Sequence, residues 1–164
     1  AGSRGSTSTT TLVHFDHMND HRGYCKLLAT WTNQLRISGV LFLPLHTKPR
    51  PRHIFAVLDA TRAESTGEFL RRLRTSNVDV NMRGQPCKER MSTVVEEWSI
   101  ASDDSKLDEN GGLTIIETEG GTASQGHMPF VREHLRQHRS SDADTLITAM
   151  ERYLDEHTKP GKRR

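Results

Sequence analysis

The chain has 164 residues, a net charge of +2, and 27% charged against 33% hydrophobic residues, enough for one domain with a real core and too few for two comfortable ones. Its longest apolar run, Ile37 to Leu45, is interrupted by Ser38, Gly39 and Pro44 and is far shorter than the roughly 20 residues a membrane-spanning helix needs, so no membrane partner is expected. The charge is uneven: residues 1–92 carry +7 and residues 93–164 carry −5, which makes the amino-terminal half the one suited to a polyanion.

The start, AGSRGSTSTTT, is rich in Gly, Ser and Thr and has no apolar signal core, so residues 1–10 read as a flexible linker or cloning scar. Thr10 to His17 carries Leu12, Val13 and Phe15 among β-branched neighbours and reads as a first strand. The period then changes: Tyr24, Leu27, Leu28, Trp31 and Leu35 form one stripe of an amphipathic helix ending near Arg36. Ile37 to Leu45 is a second strand, with Pro44 marking its end or an edge. After the loop HTKPRPR, His53 to Leu58 makes a third strand, and Ala63 to Thr75 a second helix with Phe69, Leu70 and Leu73 on its apolar face.

Strand, helix, strand, strand, helix is the opening of a split βαβ unit, and a fourth strand must follow. Val78 to Val80 and Met91 to Ile100 compete for it, and the second is longer and richer in β-formers. NMRGQP between them is turn material. Gly112 to Glu119 alternates enough for a fifth strand. Pro129 fits the first turn of a helix running to about His138, and Asp142 fits the cap of another, striped by Ala143, Leu146, Ile147, Met150 and Leu154. The fold expected is α+β: a ferredoxin-like split βαβ sandwich over residues 11–157, with an extra strand and carboxy-terminal helices, followed by a basic tail at 158–164.

The stretch LVHFDHMNDH crowds three histidines and two aspartates into ten residues, the ligand types of a zinc or iron site. Alternation along a strand divides them, however, sending His14 and Asp16 to one face and Phe15 and His17 to the other. His17 and His21 have i, i+4 spacing but lack the H-E-x-x-H glutamate. A metal-dependent enzyme using His14, Asp16, His17 and His21 is therefore the last-ranked reading. The preferred one is structural: Asp20 caps the helix, and Asp16, His17 and Met18 make the strand-to-helix turn. Asp103 to Gly112 does not fit a calcium loop, because Lys106 and Leu107 fall at ligand positions.

Two cysteines, Cys25 and Cys87, with no C-x-x-C pattern, fit a reducing compartment, cytoplasmic or nuclear. Lys88 and Arg90 flank Cys87, but no base is placed beside it, and neither phosphate-loop pattern occurs. No catalytic residues and no cofactor are assigned. The basic residues form the stronger signal: Lys48, Arg50 and Arg52 in a proline-spaced loop, Arg71, Arg72 and Arg74 on the second helix, then Arg83, Lys88 and Arg90. Such a set suits RNA phosphates. Glu64, Glu68 and Glu89 are interleaved with it, and no RNP1 string is present.

Three strings, FDHMNDHRGYCKLLATWTNQLRISG, SNVDVNMRGQPCKERMSTVVEE and GHMPFVREHLRQHRSSDADTLITAM, together resemble one family. It is the domain of unknown function numbered 1115, found at the carboxy terminus of RWD domain-containing proteins two and three and of the spliceosomal pre-mRNA-processing factor three. The likeness spans residues 11–155. Its motifs are the turn Asp16, His17 and Met18, the Trp31 helix followed by Leu35 and Gly39, and the segment from Val78 to Met91 with Gly84 and Cys87. The resemblance implies a ferredoxin-like domain without enzyme activity, acting as a protein-interaction module with an unidentified protein partner. RNA binding is the alternative, implied by the splicing-factor relative. The departure of Asn19-Asp20-His21 from the family pattern implies no shared metal site.

Overall fold

Residues 7–45, 51–89, 91–101, 111–118 and 127–158 are described by the computed structural model. Eleven elements follow one another there: β1 (Thr7–His17), α1 (His21–Gln34), β2 (Ile37–Pro44), β3 (Arg52–Ala60), α2 (Ala63–Thr75), β4 (Asn77–Val80), β5 (Pro86–Lys88), β6 (Ser92–Ala101), β7 (Gly112–Thr118), α3 (His127–His138) and α4 (Ala143–Thr158). The main sheet has the order β6-β1-β3-β2-β7. Its first four strands are antiparallel to their neighbours, and β7 joins β2 in parallel. This is the split βαβ arrangement, with β6 in the position of the fourth strand and β7 added beyond β2.

Period-2 alternation distributes the strand side chains over two cores. On one face Val13, Phe15, Leu41, Ile54, Ala56 and Leu58 pack under α1 and α2, meeting Tyr24, Leu28, Trp31, Phe69 and Leu73. On the other, Leu12, Phe42, Phe55 and Val57 pack under α3 and α4, meeting Val131, Leu135, Leu146, Ile147 and Met150. The architecture is thus helices, sheet, helices, with β1 and β3 apolar on both sides, as strands covered on two faces must be.

One sequence expectation needs correction. The first strand starts at Thr7, not Thr10: residues 7–10 pair with Ala60 and Asp59 of β3 and with the end of β6. The run of threonines there is β-branched and suits a strand better than a linker. The segment Val78 to Val80 is not part of the main sheet but pairs with an unexpected β5 in a separate two-stranded ribbon. Three residues of Pro-Cys-Lys are too short to show alternation in sequence. The acidic loop, at 102–110, and the tail from 159 onward lie outside the described residues.

Two features fix the layers. Arg139, at the corner between α3 and α4, donates from Nη1 to Asp59 Oδ2, from Nη2 to Asp59 Oδ1 at 3.0 Å, and from Nε and Nη2 to Asp142 at 3.0 and 2.7 Å. Thr10 adds its hydroxyl to Asp59 at 2.7 Å. In β2, a Cβ on Gly39 would meet the Val57 carbonyl oxygen at 2.8 Å and Leu58 at 2.9 Å, so only glycine lets β2 lie this close to β3.

Candidate docking site

The strand-to-helix turn after β1 and the β4–β5 hairpin are bolted together. Backbone N–H groups of Asn19 and Asp20 donate to the two oxygens of Asp79 at 3.0 and 2.8 Å, and the Asn19 amide donates to the Val80 carbonyl at 2.6 Å. Asp20 in turn accepts from Gly23 N–H at 3.2 Å as the cap of α1. The Tyr24 hydroxyl donates to Glu89 at 2.7 Å, and burial followed by the Glu89 charge pushes that phenol's pKa up. Asp16 N–H donates to the Met91 carbonyl at 3.1 Å, and Met18, fully buried, donates its N–H to Pro51 at 3.1 Å. The first two of the three segments that resembled one family in sequence are therefore in contact in space.

The hairpin tip is equally fixed. The Asn81 side chain accepts from the N–H groups of Arg83 and Gln85 at 2.9 and 3.0 Å, and Gly84, at φ +77°, donates to the Asn81 carbonyl at 2.9 Å. A left-handed turn position of this kind favours glycine. At the tip Met82 is 84% exposed, with Arg83 beside it. Met91, just before β6, is also exposed.

The described basic residues come from three places in the fold. Arg71, Arg72 and Arg74 line α2, Arg52 opens β3, and Arg83 and Lys88 lie on the hairpin. Lys48, Arg50 and Arg90 lie outside the described residues. Arg71 and Arg72 both grip Glu68, at 2.7 and 3.0 Å, and those bonds, Arg71 first, hold the Glu68 carboxyl down at about 2. Arg72 also donates to Gln34 at 2.9 Å. The sheet face that a face-on RNA mode needs is covered by α3 and α4.

The histidine-rich stretch separates at His14 and Phe15 as alternation requires, but not at Asp16 and His17, whose side chains meet at the end of β1. Phe15 meets Tyr24 in the α1 layer, ring centroids 5.7 Å apart, whereas His14 faces Phe55 and Tyr153 at 5.1 and 4.4 Å in the α4 layer. His17 bonds Asp16 at 2.8 Å. Burial opposes ionisation of Asp16, but His17 and Arg52 outweigh it and hold the carboxyl below its usual range. His21 begins α1. Among the described residues no group of three or more His, Cys, Asp or Glu side chains is placed to hold a metal ion.

Sequence reasoning missed the anchoring carboxylates Asp79 and Asp59, the clamp Arg139, and two partners of His14, His53 and Tyr153. Asp79 alone carried a signal, as a lone acid between two valines in a short strand.

No family model matches the chain. It is 32% identical to RWD domain-containing protein 3 of Homo sapiens over 109 residues, 62% of this chain and 38% of that one. It is 28% identical to the Mus musculus protein of that name over 123 residues, 72% and 43% of the two chains. With the Xenopus tropicalis protein the identity is 32% over 131 residues, 69% and 46%. The chain thus spans less than half the length of the curated relatives it matches. Among solved structures it is similar to a bacterial light-regulated adenylyl cyclase at 12% identity and a TM-score of 0.49, covering 92% of this chain and 36% of that one, a likeness too loose to carry function. The sequence similarities relate this chain to the RWD domain-containing protein 3 proteins.

Proposed function

We propose that the chain is a non-catalytic protein-interaction module of an RWD-type protein, of the domain family numbered 1115, and that the β4–β5 hairpin is its docking element. The observation that carries this reading is Met82, 84% exposed at the tip of a hairpin held at its base by Asp79 and Asn19 and at its turn by Asn81. A flexible thioether on a fixed backbone offers apolar area that adapts to a partner without first ordering a loop. Arg83 beside it adds a charge for orientation. The RWD relatives support an interaction role over an enzymatic one. RNA binding is disfavoured by α3 and α4 lying on the sheet face and by Glu68 occupying Arg71 and Arg72.

Affinity capture with the wild-type chain and with a Met82→Asp variant of equal thermal stability tests this. Proteins retained by the wild type and reduced about tenfold or more by the variant are the expected result. Identical sets of retained proteins overturn the assignment of the hairpin. RNA binding that weakens with salt and ignores Met82→Asp overturns the reading as a whole.

A further inference from the structure

We infer that His14, His53 and His127 form a proton-operated latch that holds the α3–α4 layer on the sheet while the rings are neutral and releases it when they are charged. This does not rest on the docking role of the hairpin.

Three elements supply the groups: the rings of His14 and His53 touch, and His127 lies against the His53 backbone. His14 projects from β1 at 2% exposure. His53 comes from β3, where its backbone takes the left-handed φ of +55°, rare for a residue with a side chain. His127 is the first residue of α3. His14 Nε2 lies 3.1 Å from His53 Nδ1. From α4, Tyr153 packs on His14 at 4.4 Å, and His157 stacks on Tyr153 at 3.9 Å. His127 Nδ1 lies 2.8 Å from the Thr118 hydroxyl.

This arrangement suits neutral rings only. A neutral imidazole offers one donor and one acceptor, so His14 and His53 can share one proton across 3.1 Å; two imidazolium rings would present two donors to each other. His14 Nδ1 is buried with no hydrogen-bond partner, so a proton added there has nothing to bond. His127 Nε2 is also buried without a partner, and the one group that favours a charged His127, the His53 backbone, is outweighed by burial. The charged and titratable groups facing the cluster give little relief. Asp16 of β1 is engaged by His17. Arg52 of β3 opposes a positive charge on His53, and His157 of α4 opposes one on His14. Burial first, then His53, push His14 down to about 4, against the pull of Asp16. Burial likewise holds His127 at about 4, and lowers His53.

The direction follows. Because the folded rings resist protons, the released state takes them up first, near the ordinary histidine value of about 6.5. The latch is intact above about pH 7. It weakens as pH falls from about 6.5 to about 4, with each histidine moving the equilibrium toward release by up to about tenfold per pH unit. On the α1–α2 side the described histidines, His17 and His21, are only half-buried, and α2 carries none, so the effect is concentrated in the α3–α4 layer. Release uncovers Leu12, Phe42, Phe55 and Val57, an apolar sheet face.

Amide hydrogen exchange between pH 7.5 and 5.5, corrected for intrinsic exchange rates, tests the latch. Protection of α3 and α4 is expected to fall about tenfold or more, while α1 and α2 keep theirs, and a His14→Asn, His127→Asn chain is expected to lose most of that pH dependence. A loss shared equally by both layers, or one unchanged in the double variant, overturns the proposal. If that variant does not fold, proton resonances of the wild-type rings decide: titration of His14 and His127 far below 6.5 is expected, and midpoints at 6.5 refute the latch.

Discussion

The carboxylate of Asp79 sits within 3.0 and 2.8 Å of the backbone nitrogens of Asn19 and Asp20, sixty and fifty-nine residues earlier in the chain. One side chain thereby fixes the turn that starts α1 and the hairpin that follows α2. Replacing it with alanine leaves two donors at the start of a helix without partners. Asp79→Ala should cost about 2 to 3 kcal/mol, read as a lowered urea midpoint, and should loosen the hairpin before the sheet. A change under about 0.5 kcal/mol would mean that water replaces the carboxylate.

Arg139 bridges Asp59 and Asp142 in a partly buried cluster. Arg139→Ala strands two carboxylates and should cost about 3 kcal/mol. Arg139→Ala combined with Asp59→Ala should cost clearly less than the sum of the two single changes, since each single change already leaves an unpaired partner. Additive losses in a double-mutant cycle would show that the three groups are not coupled.

Gly39→Ala forces a methyl to within 2.8 Å of the Val57 carbonyl oxygen, which is backbone and has nowhere to go. A loss of about 2 kcal/mol is expected from the required shift of β2. Gly67, on an open face of α2 with nothing within 4 Å, should gain up to about 1 kcal/mol on the same change. Thermal melts of the two variants should therefore move in opposite directions.

Cys25 is on the buried face of α1, and burial first, then Glu117 and Asp20, push its thiol up to about 11. Cys87 lies half-exposed on the hairpin. Iodoacetamide at pH 8 should label Cys87 well before Cys25 in the native chain, because the thiolate is the reactive form. Mass spectrometry of partially labelled protein reads the order, and equal labelling would indicate that α1 opens readily.

Local pattern carried most of the fold. The period-3.6 stripe from Tyr24 to Leu35 and the period-2 strands gave α1, α2 and the choice of Met91 to Ile100 over Val78 to Val80 as the fourth strand, and α3 and α4 followed from Pro129 and Asp142. Long-range partners were not legible. Nothing in the spacing of His14, His53 and His127 indicates that they meet, because strand order and helix placement decide it. The role of Asp79 depends on a turn about sixty residues away. The threonines at 7–10 were masked by their resemblance to a polar linker, since β-propensity and linker composition overlap in threonine.

The most direct measurement of the docking role is a photocrosslinking comparison, with a benzophenone side chain placed at position 82 in one chain and at position 133, on exposed α3, in another. Covalent capture of a defined polypeptide from position 82 and not from 133 is the predicted result. Equal capture from both positions, or crosslinks from 82 to RNA alone, would contradict a protein-docking hairpin.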